Sequence, residues 1–234
     1  MIIEKDLIIS VLKLTKDESV SHELINKDAK MPFQTAQKLL DKLQSEGLIY
    51  VRRGFVEADS LQRLKLAVKA VQLGADLEAV SSLLQWQEFE SIATVAFEQN
   101  GYQVSKNLRF KHARRKWEID VVGCRKPLVV CVDCKHWHHG LYPSALKGIV
   151  KDQIERASAL ANTIPSPSIR ISCGSWNKAT VIPVILSLVI GRSKFHDNVP
   201  VVSILQLQDF IHQLPVYVDN LRFFRLNLCD KLTF

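Results

Sequence analysis

Two adjacent stretches carry residue types able to do chemistry. Trp117-Glu118-Ile119-Asp120-Val121-Val122-Gly123 is followed, after a short turn, by Leu128-Val129-Val130-Cys131-Val132-Asp133-Cys134-Lys135. Apolar and β-branched residues dominate both, so they read as two strands joined by a turn. Side chains alternate across a strand, which puts Asp133 and Lys135 on one face. Charges are costly in such apolar runs. Two carboxylates beside an ammonium suit the binding of a divalent cation and a water against a phosphodiester. Mg²⁺ takes one or two carboxylates plus waters and phosphate oxygens. Asp120 and Asp133, on neighbouring antiparallel strands, place oxygens around one ion, and the backbone carbonyl of Cys134 adds a third ligand. Lys135 then orients the water or stabilises developing charge. Glu118 alternates onto the face of Asp120 as a further acid. A plain ion pair between Asp133 and Lys135 is the alternative.

The chain around this hairpin has 234 residues, 47% hydrophobic and 24% charged, enough for one large or two small globular domains. No apolar run reaches the length of a membrane span. Thr180 to Ile190, the longest, contains Pro183 and Ser187 and fits a buried strand. The first residues lack the features of a signal peptide. Five cysteines without regular pairing indicate reduced thiols and a cytoplasmic protein. Cys131 and Cys134 fall on opposite faces of one strand, which argues against a metal pair.

The net charge is +7, and it is unevenly placed. Residues 1–84 hold 12 Lys+Arg and 12 Asp+Glu, leaving 19 and 12 of the chain's 31 and 24 for residues 85–234. Lys106, Arg109, Lys111, Arg114, Arg115 and Lys116 cluster with His112 and no acid. The cluster is either a solvated hairpin or a phosphate-contacting patch that runs into the acidic strand.

The elements that position these groups follow from periodicity. Leu7, Ile8, Val11, Leu12 and Leu14 predict one amphipathic helix, and Glu18 to Ile25 a second. Met31-Pro32 opens a third, with Ala36, Leu39, Leu40 and Leu43 at helical spacing and Gly47 as its stop. Leu48 to Val56 predicts a hairpin with Arg52, Arg53 and Gly54 at its tip. Residues 58–84 predict two connecting helices, Ser60 to Leu73 and Leu77 to Leu84. A helix from Trp86 to Gln99, with Phe89, Ile92, Ala93, Ala96 and Phe97 buried, ends at Asn100-Gly101-Tyr102. Strands follow near Gln103–Val104, Lys116–Gly123 and Leu128–Lys135. Then come a helix near Leu146–Ala161, strands near Arg170–Cys173, Val181–Val189 and Val199–Ile204, a short helix Gln206–Gln213 and an edge strand Leu221–Leu228. This order implies an α/β domain with a mixed sheet and helices on both faces.

Residues 1–57 resemble the winged helix-turn-helix family, on the phrase Leu39-Leu40-Asp41-Lys42-Leu43-Gln44-Ser45-Glu46-Gly47-Leu48-Ile49. In that family the third helix enters the major groove and the wing touches the backbone. The resemblance implies DNA contacts from Gln34, Thr35, Gln37, Lys38 and Lys42, with Arg52 and Arg53 on the wing. Protein docking or dimerisation is the other role such domains take.

An acid in a strand, a turn and then Asp-x-Lys is the signature of the PD-(D/E)XK nuclease superfamily. From Trp86 onward the chain looks like Mrr-type restriction endonucleases and archaeal Holliday-junction resolvases. Phe89-Glu90, Phe97 and Gly101-Tyr102 match their first helix and its end. The resemblance implies that Glu90 joins the metal site. It also implies that Gln153, in Lys151-Asp152-Gln153, lies near the active site. The segment before the first acid is Lys116-Trp117-Glu118-Ile119 rather than glycine-flanked, and the second acid is Asp133 rather than Glu. Neither departure removes a ligand. His136, His138 and His139 lack the spacing of a tetrahedral zinc site.

The expected organisation is a winged helix over 1–57, a helical connector over 58–84 and a restriction-endonuclease-like domain over 85–234. The expected function is a DNA endonuclease using Mg²⁺ or Mn²⁺, with Glu90, Asp120, Asp133, Lys135 and Gln153 at the site, DNA as partner and no membrane. Nuclease relatives that make two cuts act as pairs, which suggests a homodimer. The alternative is a DNA-binding regulator with a non-catalytic nuclease fold.

Overall fold

The structure, a computed structural model, describes residues 2–135, 143–166, 169, 171–188 and 194–228. The chain divides into one unit of Met1–Glu88 and a second of Phe89–Lys135 with Leu141–Phe234. No helix among the described residues is long and apolar enough to cross a membrane. His136, Trp137, His138, His139, Arg170 and Val189 lie outside the described residues.

The first unit runs α1 (Ile2–Leu14), β1 (Val20–Ser21), α2 (His22–Ala29), α3 (Phe33–Ser45), β2 (Tyr50–Arg52), β3 (Phe55–Glu57), α4 (Ser60–Gln72) and α5 (Leu77–Ser82). Leu7, Ile8, Val11 and Leu12 of α1 are fully buried, with Ile25, Leu40, Leu43, Ile49, Val56 and Leu64. The second helix starts later than its periodicity predicted. Val20 and Ser21 pair instead with Val56 and Phe55 of β3, and the Ser21 hydroxyl accepts from Leu24 N to cap α2. Pro32 lies outside α3 as its N-cap, with its carbonyl accepting from Thr35 N and Ala36 N. The β2–β3 hairpin turns on Arg53 (φ 51°) and Gly54 (φ 81°), the left-handed pair that a two-residue hairpin needs.

One charged pair is sunk in this unit. Arg63 of α4 and Glu88 are 2% and 5% exposed. Arg63 Nε lies 2.6 Å from Glu88 Oε1, and its other nitrogens donate to the carbonyls of Leu12 and Leu83 and to Thr15 Oγ1. Removing one partner strands the other charge away from water. Arg63→Met is expected to cost about 3–5 kcal/mol in urea unfolding. The double variant Arg63→Met/Glu88→Gln should recover part of that loss. Equal midpoints for Arg63→Met and wild type would refute the assignment.

The second unit continues α6 (Trp86–Gln99) into β4 (Gln103–His112), β5 (Arg115–Arg125), β6 (Leu128–Cys134), α7 (Pro143–Thr163), β7 (Lys178–Ser187), β8 (Phe195–His196), β9 (Val199–Ser203), α8 (Leu207–Tyr217) and β10 (Phe224–Asn227). The seven strands form one mixed sheet in the order β4-β5-β6-β7-β9-β8, with β10 on β7. β6–β7 and β7–β9 are parallel and the other pairs antiparallel. The α/β class and the helix-flanked mixed sheet are as expected. Gly123 faces α6: a Cβ there would sit 2.7 Å from Phe97, so only glycine lets that helix approach β5 this closely. Ala157, Leu160 and Ala161 of α7 pack with Phe110, Ile119, Val122, Cys124, Val129 and Cys131 in one core.

In the second unit, β4 and the segment near Cys173 differ from the sequence expectation. β4 extends to His112 instead of stopping near Val104, because Leu108 and Phe110, two apart, pack into the core under α7. The segment expected as a strand near Cys173 forms a 3₁₀ turn over Ser172–Ser175.

Candidate active site

β5 pairs with β6 only from Val121↔Val132 to Arg125↔Leu128. Beyond Val121, β4 and β5 continue as a two-stranded ribbon, and Asp120 sits where the ribbon leaves the sheet. Strict alternation would place Ile119 and Val122 on opposite faces, yet both lie in the core under α7. The pleat therefore breaks between them. Lys106↔Val121 and Leu108↔Ile119 put Asn107 directly across from Asp120. Asn107 has φ 49°, a left-handed conformation that asparagine tolerates better than most residues.

Released from a regular pleat, the Asp120 carboxylate accepts a hydrogen bond from the backbone N–H of Cys134 at 2.7 Å. This contact draws the end of β6 to β5 past the last ladder pair. An extended residue points its N–H and C=O to the same edge, so the Cys134 carbonyl lies along the edge that faces β5.

Asp133 is 4% exposed. Its Oδ2 lies 3.0 Å from Lys135 Nζ and its Oδ1 2.9 Å from an Arg156 guanidinium nitrogen of α7. Lys135 is anchored by its own N–H to the Leu186 carbonyl of β7 at 2.9 Å. Asp133 and Lys135 thus share a face, as alternation predicted. Arg156 was not singled out in the sequence. A basic residue three positions after Gln153, on the stripe that α7 turns to the sheet, is the signal that marks it.

Glu90 of α6 is 6% exposed and accepts from Asn107 Nδ2 at 3.3 Å. Its charge reaches Asp120: burial, the Asp133 carboxylate and Glu90 together push the Asp120 carboxyl up to about 6, against the opposing pull of the Cys134 N–H and Lys135. Burial and the same three acids also raise the Cys134 thiol well above its ordinary value. Gln153, fully buried, donates to the carbonyls of Cys131 (2.7 Å) and Val184 (3.2 Å). Its amide clamps α7 onto β6 and β7. Glu118 pairs instead with Arg109 across the ribbon at 3.0 Å.

Among the described residues, no three of His, Cys, Asp and Glu form a ready-made metal cage. The donors present nevertheless fit a hard divalent cation, which needs only one or two carboxylates with carbonyl and water oxygens. Asp133 Oδ2 is buried and, although it lies 3.0 Å from Lys135 Nζ, closes no hydrogen bond. Burial and the Asp133 and Glu90 carboxylates disfavour the ionised form of Asp120, a penalty that a cation would relieve. Asp120, Asp133 and the Cys134 carbonyl would be the ligands.

The remaining sequence candidates divide by surroundings. Lys106, Arg109, Lys111, Arg114, Arg115 and Lys116 are all exposed on the ribbon. Lys111 and Lys116 stand directly opposite each other, where like charges repel. Arg115 lies 4.0 Å over the Trp117 ring and 3.5 Å from Glu155. In the first unit, Gln34, Lys38, Arg52 and Arg53 are exposed and Thr35 is half-buried. Gln37 bonds His22 and Asp41. Lys42 is held by Glu4 of α1 at 2.9 Å.

No protein-family model matches the chain. An uncharacterized protein of Archaeoglobus fulgidus is 27% identical over 143 residues, covering 60% of this chain and 99% of the relative. Among solved structures, protein VC1899 from Vibrio cholerae aligns with TM-score 0.38 and 14% identity over 93% of this chain and 52% of that one. Restriction endonuclease FokI aligns with TM-score 0.37 and 14% identity over 92% and 44%. The chain spans about half the length of these two solved proteins.

Proposed function

We propose that the chain is a DNA endonuclease that hydrolyses phosphodiester bonds with Mg²⁺ or Mn²⁺ as cofactor. One observation carries this reading: Asp120, Asp133 and Lys135 converge at the end of β6, linked by the Cys134 N–H and the Asp133–Lys135 pair. A purely DNA-binding domain has no use for a part-buried carboxylate such as Asp120, whose charge is disfavoured, since such a group destabilises the fold.

A bound divalent cation would supply Lewis acidity toward a phosphate oxygen and its attached water. Asp120 and Asp133 hold negative charge in place for it. Lys135, 26% exposed, faces outward far enough to orient the attacking water or balance charge growing on the phosphate. The ribbon cations run from the tip toward Asp120, so a backbone laid along them reaches the acids. The wing arginines and the exposed residues of α3, Gln34 and Lys38, add a second DNA contact. Because phosphates would dominate, affinity should fall steeply as salt rises.

The test is cleavage of linear, supercoiled, forked and four-way DNA with Mg²⁺ or Mn²⁺, with Asp133→Ala as control. Cuts that need the metal and vanish in the variant support the proposal. Absence of cleavage on every substrate, with DNA bound in a salt-dependent way, would favour the non-catalytic regulator.

A further inference from the structure

We propose that Arg156 selects the divalent cation by withholding one oxygen of Asp133, an inference that rests on the metal-dependent reading above. The geometry behind it is fixed from α7. Gln153 clamps that helix to the carbonyls of Cys131 and Val184. One turn later, Arg156 presents a guanidinium nitrogen to Asp133 Oδ1 at 2.9 Å. The two side chains are 26% and 5% exposed, so water competes little for the carboxylate. The guanidinium is planar, and its rigid fork is pre-organised to hold a carboxylate oxygen. Asp133 therefore meets a cation with Oδ2, which closes no hydrogen bond and has the Lys135 ammonium 3.0 Å away as the partner that must yield.

A one-oxygen carboxylate suits some ions better than others. Mg²⁺ demands near-octahedral geometry at short distance and takes carboxylates through single oxygens. Ca²⁺ is larger, accepts six to eight oxygens and readily takes a carboxylate through both. For Ca²⁺ to chelate Asp133, Oδ1 must leave Arg156 and strand a half-buried guanidinium. Arg156 thereby penalises Ca²⁺ and leaves Mg²⁺ untouched.

The experiment is calorimetric titration of Mg²⁺ and of Ca²⁺ into the full chain, for wild type, Arg156→Met, Arg156→Gln and Arg156→Lys, each checked for a cooperative melt. Removing a positive charge strengthens binding of both ions. They carry equal charge, so that common gain cancels in the ratio of Kd(Ca²⁺) to Kd(Mg²⁺). The ratio is expected to fall about tenfold in Arg156→Met, as the freed carboxylate becomes able to chelate Ca²⁺. Arg156→Gln, which keeps only a weak neutral donor, should move it in the same direction if the methionine variant does not fold. Arg156→Lys should hold it near the wild-type value by keeping Oδ1 occupied. An unchanged ratio in the folded neutral variants overturns the role of Arg156 but leaves the nuclease reading standing. A wild type that binds neither ion and cuts no DNA overturns both.

Discussion

Asp133→Ala is expected to lower the DNA cleavage rate at least about 1,000-fold while leaving DNA affinity within a few-fold of wild type. The carboxylate is the meeting point of the site, with Lys135 on one oxygen and Arg156 on the other. Its removal deletes a proposed cation ligand and frees Lys135 to move. It also leaves two positive charges without their counter-ion. Those charges favour a polyanion, so affinity should hold or rise. That separation of rate from binding distinguishes the loss from unfolding. Asp133→Asn keeps the shape and should lose nearly as much activity, because a neutral amide is a poor ligand for a hard cation. Lys135→Ala should lose about 100- to 1,000-fold, as expected for one preorganised charge. Single-turnover cleavage and filter binding on the same DNA read both quantities. A variant that still cuts at a tenth of the wild-type rate would remove Asp133 from the chemistry.

The acids and the lysine were legible in the sequence because apolar strands tolerate charge only where something repays it, and because period-two spacing fixes a face. The helices of the first unit were legible for the same reason, from their 3.6-residue periodicity. Three features were not. Val20 and Ser21 carry no strand signal of their own, and they are extended because β3 offers them partners. The reach of β4 was hidden because cations alternate with Leu108 and Phe110, and a charged run looks like a loop until α7 covers its apolar face. The pleat break at Asn107 and Asp120 depends on a φ value that composition does not encode. That break lets Asp120 reach the Cys134 N–H. Arg156 belongs to a different class: its place three residues after Gln153 is its local mark, and the packing of α7 on the sheet brings it to Asp133.

Asp120→Asn is expected to abolish cleavage and to stabilise the metal-free protein at neutral pH. The Asp120 carboxyl is pushed from 3.8 up to about 6, chiefly by burial, with Asp133 and Glu90 adding to it. The folded state therefore holds a proton that the unfolded chain releases near pH 4. Stability from this group is complete below about pH 4, declines as pH rises and is gone above about pH 6. The difference corresponds to roughly 3 kcal/mol. Asparagine keeps an oxygen for the Cys134 N–H and never ionises, so it removes the decline. At pH 8 the variant should unfold at higher urea than wild type, and the gap should close as pH falls from 6 to 4. Other titrating groups are common to both proteins and cancel in the comparison. Mg²⁺ should then reverse the order: it replaces the missing positive charge at Asp120 and stabilises wild type at pH 8, while the variant gains little. Protons compete with the cation for the same carboxylate, so wild-type cleavage should fall below about pH 6. A wild type and variant whose urea midpoints differ by the same amount at pH 4 and pH 8 would show that the Asp120 carboxyl is not raised by its surroundings. The stability that the site gives up without metal would then need another source.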